Sequence, residues 1–214
     1  MRAAADAADS TPDEASTANE VAPEADERSN RFNLSLGNLV HLALAHVGNG
    51  LLMQKPFEQH LLEAAMYDWL PRLDATPDQW PDVMAHALAQ IARTLEDPTG
   101  LWLLQPHPHG RFEWPVTTVI NANPKRFVID RLFVSDGHWW IVDFKTSAPA
   151  NGITTDHFVA EEVLRYRAQL AQYQHILEIL VREQREHDEG AALPDVPIKT
   201  ALYFTALSRL ERIN

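Results

Sequence analysis

The sequence contains no cysteine and no long apolar segment. Without cysteine among its 214 residues, disulfide bonds, thiol nucleophiles and cysteine-held zinc or iron–sulfur centres are excluded. Any metal ion must therefore be bound by histidine, carboxylate or backbone carbonyl groups. No run of 18 apolar residues is present, and the N-terminal residues match neither a signal peptide nor a transit peptide. We expect a cytoplasmic protein that does not contact a membrane.

Positive charge is also scarce, because 18 Lys and Arg residues face 30 Asp and Glu residues, for a net charge of -12. Residues 1–30 carry eight acidic and two basic side chains and almost no large apolar ones. Such a segment cannot offset its ordering entropy by burial, so it is predicted to be a disordered acidic linker before a folded domain at 31–214. An acidic chain has no general attraction for nucleic acid. Any DNA must be held by a metal ion, local basic residues or a partner.

The spacing of apolar residues predicts a mixed α/β domain. A spacing of three and four predicts three helices, from Phe32 to about residue 48, over 57–69, and from about 76 to 95. Alternation then predicts strands at 111–120, 126–134 and 138–146, followed by a long helix at 156–186 and a strand at 198–207. We expect a mixed central sheet flanked by helices, with an N-terminal helical part. The adjacent Trp139 and Trp140 should lie in the core on opposite faces of one strand.

The Asp136-Gly137 pair between two apolar runs predicts a tight hairpin, because a type I′ turn needs positive φ at both central residues. A two-residue turn at this point places Asp130 directly opposite Asp143. Like charges at that distance destabilise a hairpin unless one is protonated or a cation lies between them. Lys145, two residues after Asp143, points to the same face.

Two carboxylates and one amine on one face suit the hydrolysis of phosphodiesters. The carboxylates can hold a hard divalent cation that activates water, and the amine can orient that water or stabilise developing charge. The alternative is a buried Asp–Lys ion pair at the end of a strand, with the second Asp capping a turn. Spacing alone leaves these two interpretations open.

Four sequence motifs in order resemble the PD-(D/E)xK nuclease domain that ends the AddA- and RecB-type helicase-nucleases. These are G37-N-L-V-H41, V128-I-D130-R, W139-W-I-V-D143-F-K145-T and Y166-R-A-Q169-L-A-Q-Y173. The resemblance spans about Phe32 to Asn214 and implies a restriction-endonuclease-like core. It also implies a C-terminal exonuclease domain that acts on DNA.

The resemblance further implies roles for individual residues. Metal binding, to Mg²⁺ or alternatively Mn²⁺, is implied for His41, Asp130, Asp143 and the main-chain carbonyl of Phe144. Lys145 would be the catalytic lysine, and Gln169 and Tyr173 would form the helix motif that steadies the site and the DNA, with Tyr166 beside them. Glu113 would be an accessory acidic residue near the metal, although an exposed strand glutamate is an equal alternative. Gln169 could likewise be a glutamine at the edge of a helix.

Two features depart from the family pattern. Phe127 stands where the family usually has glycine, three residues before the first Asp, which affects access to the site. No G-x-x-x-x-G-K-[ST] phosphate loop occurs, so the chain has no ATPase motor of its own. We therefore expect the nuclease part of a longer ATP-dependent helicase-nuclease in double-strand-break repair and recombination.

In that setting the substrate would be single-stranded DNA, and the partners would be the helicase domains of the parent protein and an AddB/RecC-like subunit. Two other functions remain open from the sequence. One is a nuclease-fold module that binds DNA or a partner without cleavage, and the other is a metallohydrolase of small phosphoesters.

Overall fold

The computed structural model describes residues 21–120, 123–187 and 193–213. The helices are α1 (Val21–Leu52), α2 (Gln59–Trp69), α3 (Trp80–Glu96), α4 (Pro98–Leu104) and α5 (Thr155–His187), with a 3₁₀ turn at Leu70–Arg72. The strands are β1 (Arg111–Ile120), β2 (Asn123–Ser135), β3 (His138–Lys145), β4 (Ile198–Phe204) and β5 (Arg209–Ile213). Within these ranges, no helix is both long and apolar enough to cross a membrane.

The strands form one sheet in the order β1-β2-β3-β4-β5. Neighbouring strands are antiparallel except β3 and β4, which are parallel and are joined through α5. One face of the sheet packs against α1 to α4, and the other packs against α5. This mixed sheet with flanking helices and an N-terminal helical part confirms the predicted fold class.

The central strand β3 is covered on both faces, as the paired tryptophans predict. Trp139 is 1% exposed and packs on the α5 side, whereas Trp140 is 3% exposed and packs on the side of α1 to α4. Both rings therefore belong to the core and are not available to stack on bases.

Helix α1 begins at Val21, so residues 21–30 are helical although the sequence assigned them to a disordered linker. Tertiary contacts hold this extension in place. The Gln79 side chain donates to the Arg28 carbonyl at 3.0 Å, and Arg28 pairs with Asp78. Arg31 also pairs with Glu27 one turn earlier. The contacts of Arg28 come from a distant part of the chain, which composition alone does not reveal. The remainder of that predicted linker, residues 1–20, lies outside the described residues.

Two short elements differ from the prediction. Helix α4 was not predicted, and Asp97 caps it by accepting a hydrogen bond from the Gly100 N–H at 2.9 Å. The strand predicted at 198–207 ends at Phe204, and a turn with Ser208 at φ 50° returns the chain as β5. Both elements are too short for their periodicity to stand out.

Candidate metal centre

The hairpin of β2 and β3 has the predicted register. Its Asp136-Gly137 turn has φ of 51° and 70°, the positive values that a type I′ turn requires. The strands pair in register from this turn to Arg131 and Val142, so the next row brings Asp130 and Asp143 opposite each other. The sequence-based prediction of this register is therefore confirmed.

Strand β1 adds a third carboxylate to the same row. Phe112 pairs with Arg131 and Trp114 with Ile129, which leaves Glu113 facing β2 at Asp130. Glu113 has φ 45°, a conformation that is uncommon for a residue other than glycine.

The backbone of β1 turns over at Glu113. Phe112 packs on the side of α1 to α4, whereas Trp114 packs on the α5 side, although residues two apart on a regular strand share a face. The distortion lies at the acidic row, where it aims the Glu113 side chain toward Asp130.

His41 reaches this row from helix α1. Its Nε2 donates to the Phe144 carbonyl at 2.9 Å, while Nδ1 lies 3.5 Å from Asp130 Oδ1 and 3.7 Å from Glu113 Oε1. One ligand atom from each of His41, Glu113 and Asp130 lies within 4.8 Å of the others, the spacing of residues that can share a metal ion. We call these three residues the metal pocket.

The donor set of the metal pocket fits a divalent cation. The Oε1 atom of Glu113 is buried and makes no hydrogen bond, which is costly for a carboxylate unless a cation satisfies it. Two carboxylates with one imidazole are suitable ligands for Mg²⁺ or Mn²⁺. Asp130 Oδ2 accepts the Phe144 N–H at 2.7 Å, which fixes the orientation of its carboxylate.

The protonation of His41 reflects the negative charge around it. Burial lowers the pKa of His41, but the nearby carboxylates of Asp130 and Glu113 outweigh burial and raise it well above 6.5. Because Nε2 donates its proton to Phe144, the second proton lies on Nδ1, between the carboxylates. An imidazolium thus supplies in the metal-free protein part of the positive charge that a cation would supply.

Asp143 lies beside the metal pocket and is held by different partners. Its Oδ2 is 2.6 Å from Lys145 Nζ, and its Oδ1 accepts from Gln169 Nε2 at 3.2 Å. Burial and the charge of Asp130 raise the pKa of Asp143 to about 6, although Lys145 opposes the shift. Glu113, given above as an accessory residue, lies within ligand distance of His41 and Asp130, while Asp143 contacts Lys145 and Gln169. Metal binding by Asp143 stays a prediction.

The predicted motif on α5 faces the same centre. Gln169 also donates to the Tyr173 hydroxyl at 2.7 Å, and Lys145 Nζ lies 3.3 Å from the centre of the Tyr166 ring. Burial raises the pKa of Tyr173 to about 12, which keeps the hydroxyl protonated. The ring of Phe127, which stands where the family usually has glycine, packs edge-on against the Tyr173 ring on α5 at 6.1 Å.

Two buried polar residues that the sequence did not single out hold the backbone at Lys145. Thr205 donates its N–H to the Lys145 carbonyl at 2.9 Å and its hydroxyl to Gln90 Oε1 at 2.5 Å. Gln90 in turn donates to the Thr146 carbonyl at 3.2 Å. In the sequence, only the position of Gln90 among the apolar residues of α3 indicates a buried polar contact, and it does not identify Thr205 as the partner.

Glu162 on α5 is a second residue that sequence reasoning missed. It is 3% exposed, accepts a hydrogen bond from the Ser147 hydroxyl at 3.3 Å and pairs with Arg165 at 2.7 Å. Helix α5 is therefore tied to the segment that directly follows Lys145 and Thr146.

Comparison with known proteins agrees with this geometry. The family model of the PD-(D/E)XK nuclease superfamily matches residues 15–209, and the chain belongs to that superfamily. Its fold is accordingly the restriction-endonuclease-like one, and members are usually nucleases that use divalent metal ions. No curated protein matches the chain. The matched range includes the β2–β3 hairpin that carries Asp130, Asp143 and Lys145.

Proposed function

We propose that this chain is a metal-dependent nuclease domain that hydrolyses phosphodiester bonds of single-stranded DNA. The observation that carries the proposal is the row of three carboxylates, Glu113, Asp130 and Asp143, across three adjacent strands with Lys145 beside it. Two buried carboxylates, Asp130 and Asp143, beside the half-buried Glu113 would cost folding free energy if their role were structural alone. A bound cation would offset this cost by neutralising the carboxylates.

His41, Glu113 and Asp130 would hold Mg²⁺ or Mn²⁺, with Asp143 and the Phe144 carbonyl adjoining. A cation bound there polarises a phosphoryl oxygen and lowers the pKa of a bound water molecule. Glu113 and Asp130 lie on strands and His41 lies on helix α1, so the ligands are held by regular elements. Such preorganisation lowers the cost of reaching the transition state.

Lys145 would act on the reacting groups directly. Its ammonium is fixed between the Asp143 carboxylate and the face of the Tyr166 ring, so it needs little reorganisation. From there it orients the attacking water or stabilises the charge that develops on the phosphate oxygen. Gln169 holds Asp143 from the other side and so fixes the lysine indirectly.

We assign the chain to the AddA/RecB type of helicase-nuclease, acting as the exonuclease part in double-strand-break repair and recombination in the cytoplasm. The motif on α5 supports this assignment, since Tyr166, Gln169 and Tyr173 converge on Asp143 and Lys145. The net charge of -12 supports delivery of the strand by helicase domains of a parent protein and by an AddB/RecC-like subunit. The acidic N-terminal segment would link the nuclease domain to those helicase domains.

The test is degradation of labelled single-stranded DNA with Mg²⁺ by the wild type, Asp143→Asn and Lys145→Ala. We expect both variants to lose at least about 100-fold in rate, the scale of removing a charge-stabilising group. Lys55→Ala, at an exposed lysine that follows α1 and is not part of the centre, is the matched control and should retain the wild-type rate. Equal degradation by all four proteins would overturn the catalytic assignment. Binding of DNA without cleavage, even with the motor and partner added, would favour a non-cleaving module.

A further inference from the structure

A groove beside the metal centre has the position and chemistry of a nucleotide subsite. The groove lies between α1 and α3 and has a volume of ≈ 550 Å³. Thr146, Ser147 and Ala148, which directly follow Lys145, form one side of it. Resting on the proposed function, we propose that this groove holds one nucleotide of the single-stranded DNA next to the phosphodiester that is cleaved.

The groove and the metal pocket share their structural elements. Gly37 lies one helical turn before His41 on α1, and a Cβ atom at Gly37 would lie 3.6 Å from Thr146 Oγ1. Helix α1 therefore contacts Thr146, which follows Lys145 directly and also lines the groove.

The charge of the groove differs from that of the rest of the chain. No Asp or Glu occurs among the residues that line it, and Arg93 supplies a positive charge. The other three grooves that we compared each carry a carboxylate, for example Glu58, Glu211 and Glu178. In a chain with 30 acidic and 18 basic residues, a carboxylate-free groove beside the centre suits a polyanion.

Arg93 has hydrogen-bonding capacity left for a phosphate. Its Nη1 donates to the Ala206 carbonyl at 2.9 Å, which fixes the side chain along the edge of the groove. A guanidinium carries five N–H groups, so others remain available to phosphate oxygens.

The opposite wall offers flat rings to a base. The rings of Phe32 and His86 meet edge to face at 5.5 Å, and both residues line the groove. Stacking of bases on aromatic rings is tolerant of sequence and typical of proteins that bind single strands. The Asn33 side chain at the same wall adds hydrogen-bonding groups.

The experiment measures the Kd of a fluorescent single-stranded oligonucleotide by anisotropy in Ca²⁺ in place of Mg²⁺. Ala89 lines the groove and is exposed on α3, whereas Ala92 is exposed on the same helix outside it. Ala89→Glu should weaken binding about tenfold, a change of about 1.4 kcal/mol, and Ala92→Glu should stay within about twofold of the wild type. The two variants have equal charge, so only position distinguishes them.

A second pair tests the phosphate contact. Arg93→Gln should reduce the slope of log K against log salt by about 0.7, as expected for loss of one contact to a single strand. Arg182→Gln, in the groove on the α5 side of the sheet, should leave the slope unchanged. Equal Kd values for Ala89→Glu and Ala92→Glu, or an unchanged slope for Arg93→Gln, would overturn the proposal.

Binding and cleavage are separable in this design. A wild type that binds the oligonucleotide in Ca²⁺ with the expected dependence on Ala89 and Arg93 but does not cleave it in Mg²⁺ supports the subsite and counts against the nuclease activity. Cleavage with no effect of either substitution supports the nuclease activity and overturns the subsite. A wild type that binds no single-stranded DNA overturns the subsite as well.

Discussion

At the scale of single residues, the ionisation of the centre is set by repulsion among carboxylates. Glu113, Asp130 and Asp143 occupy one row of the sheet. His41 lies beside Asp130, and Lys145 pairs with Asp143. The raised pKa of His41 favours a positive imidazolium, and the raised pKa of Asp143 favours a neutral carboxyl, so both shifts reduce the net negative charge of this row. The metal-free protein therefore compensates by binding protons where a cation would otherwise bind.

The stability of the metal-free protein should fall as pH rises. Folding raises the pKa of both groups, so their stabilising contribution is complete below the unfolded-state pKa and is lost as pH rises through the folded-state pKa. For Asp143 the loss spans pH 3.8 to about 6, and for His41 it begins near 6.5 and continues upward. Thermal unfolding in EDTA should give a lower Tm at pH 8 than at pH 6. A Tm that rises between these values would contradict the assigned shifts.

Asp143→Asn provides the matched test of this effect. Removing the charge of Asp143 should raise the Tm of the metal-free protein at pH 8 by about 3 °C, corresponding to about 1 kcal/mol. Asp136→Asn makes the same chemical change in the exposed turn, where Asn-Gly forms the same turn type, and should leave the Tm unaltered.

At the scale of secondary-structure elements, the strands on either side of the β2–β3 hairpin could be predicted, but only the hairpin's own register could be. The Asp136-Gly137 turn fixes a register by its φ requirement, which is a local property of two residues. The register of β1 depends on a connection without such a turn signal, and the positive φ of Glu113 is imposed by its surroundings. His41 is 103 residues from Phe144, so only family resemblance could bring it to the site.

The hydrogen bonds that hold the Lys145 backbone could not be predicted either, because Gln90 and Thr205 are 115 residues apart in the sequence. Thr205→Val should test that support, since it removes the hydroxyl that contacts Gln90 and the Lys145 carbonyl and keeps the N–H bond to that carbonyl. We expect a loss of about 1 kcal/mol in stability and a fall of about tenfold in kcat, because a small displacement of a catalytic group is costly. Steady-state kinetics and thermal unfolding of the same preparations provide both measurements.

Thr200→Val is the matched control for Thr205→Val. The Thr200 hydroxyl is buried and donates to the Ile213 carbonyl at 2.9 Å, away from Lys145. This variant should lose similar stability and retain the wild-type kcat. If both variants lose activity in proportion to their stability, Thr205 has no positioning role.

At the scale of the whole molecule, cation binding should be measurable as an increase in thermal stability, because the chain carries more acidic than basic side chains. A cation that binds only the folded state stabilises it by mass action, and 10 mM Mg²⁺ acting on a site with a Kd of about 1 mM contributes about 1.4 kcal/mol. We expect Mg²⁺ and Mn²⁺ to raise the Tm by about 3 °C at pH 8. General screening of the net charge of -12 would also raise the Tm, so NaCl at matched ionic strength is the reference.

Glu113→Gln keeps the shape of the metal pocket but removes one ligand charge, and it should abolish the difference between Mg²⁺ and NaCl. An equal response of wild type and variant would mean that divalent ions act on the surface charge and not at Glu113.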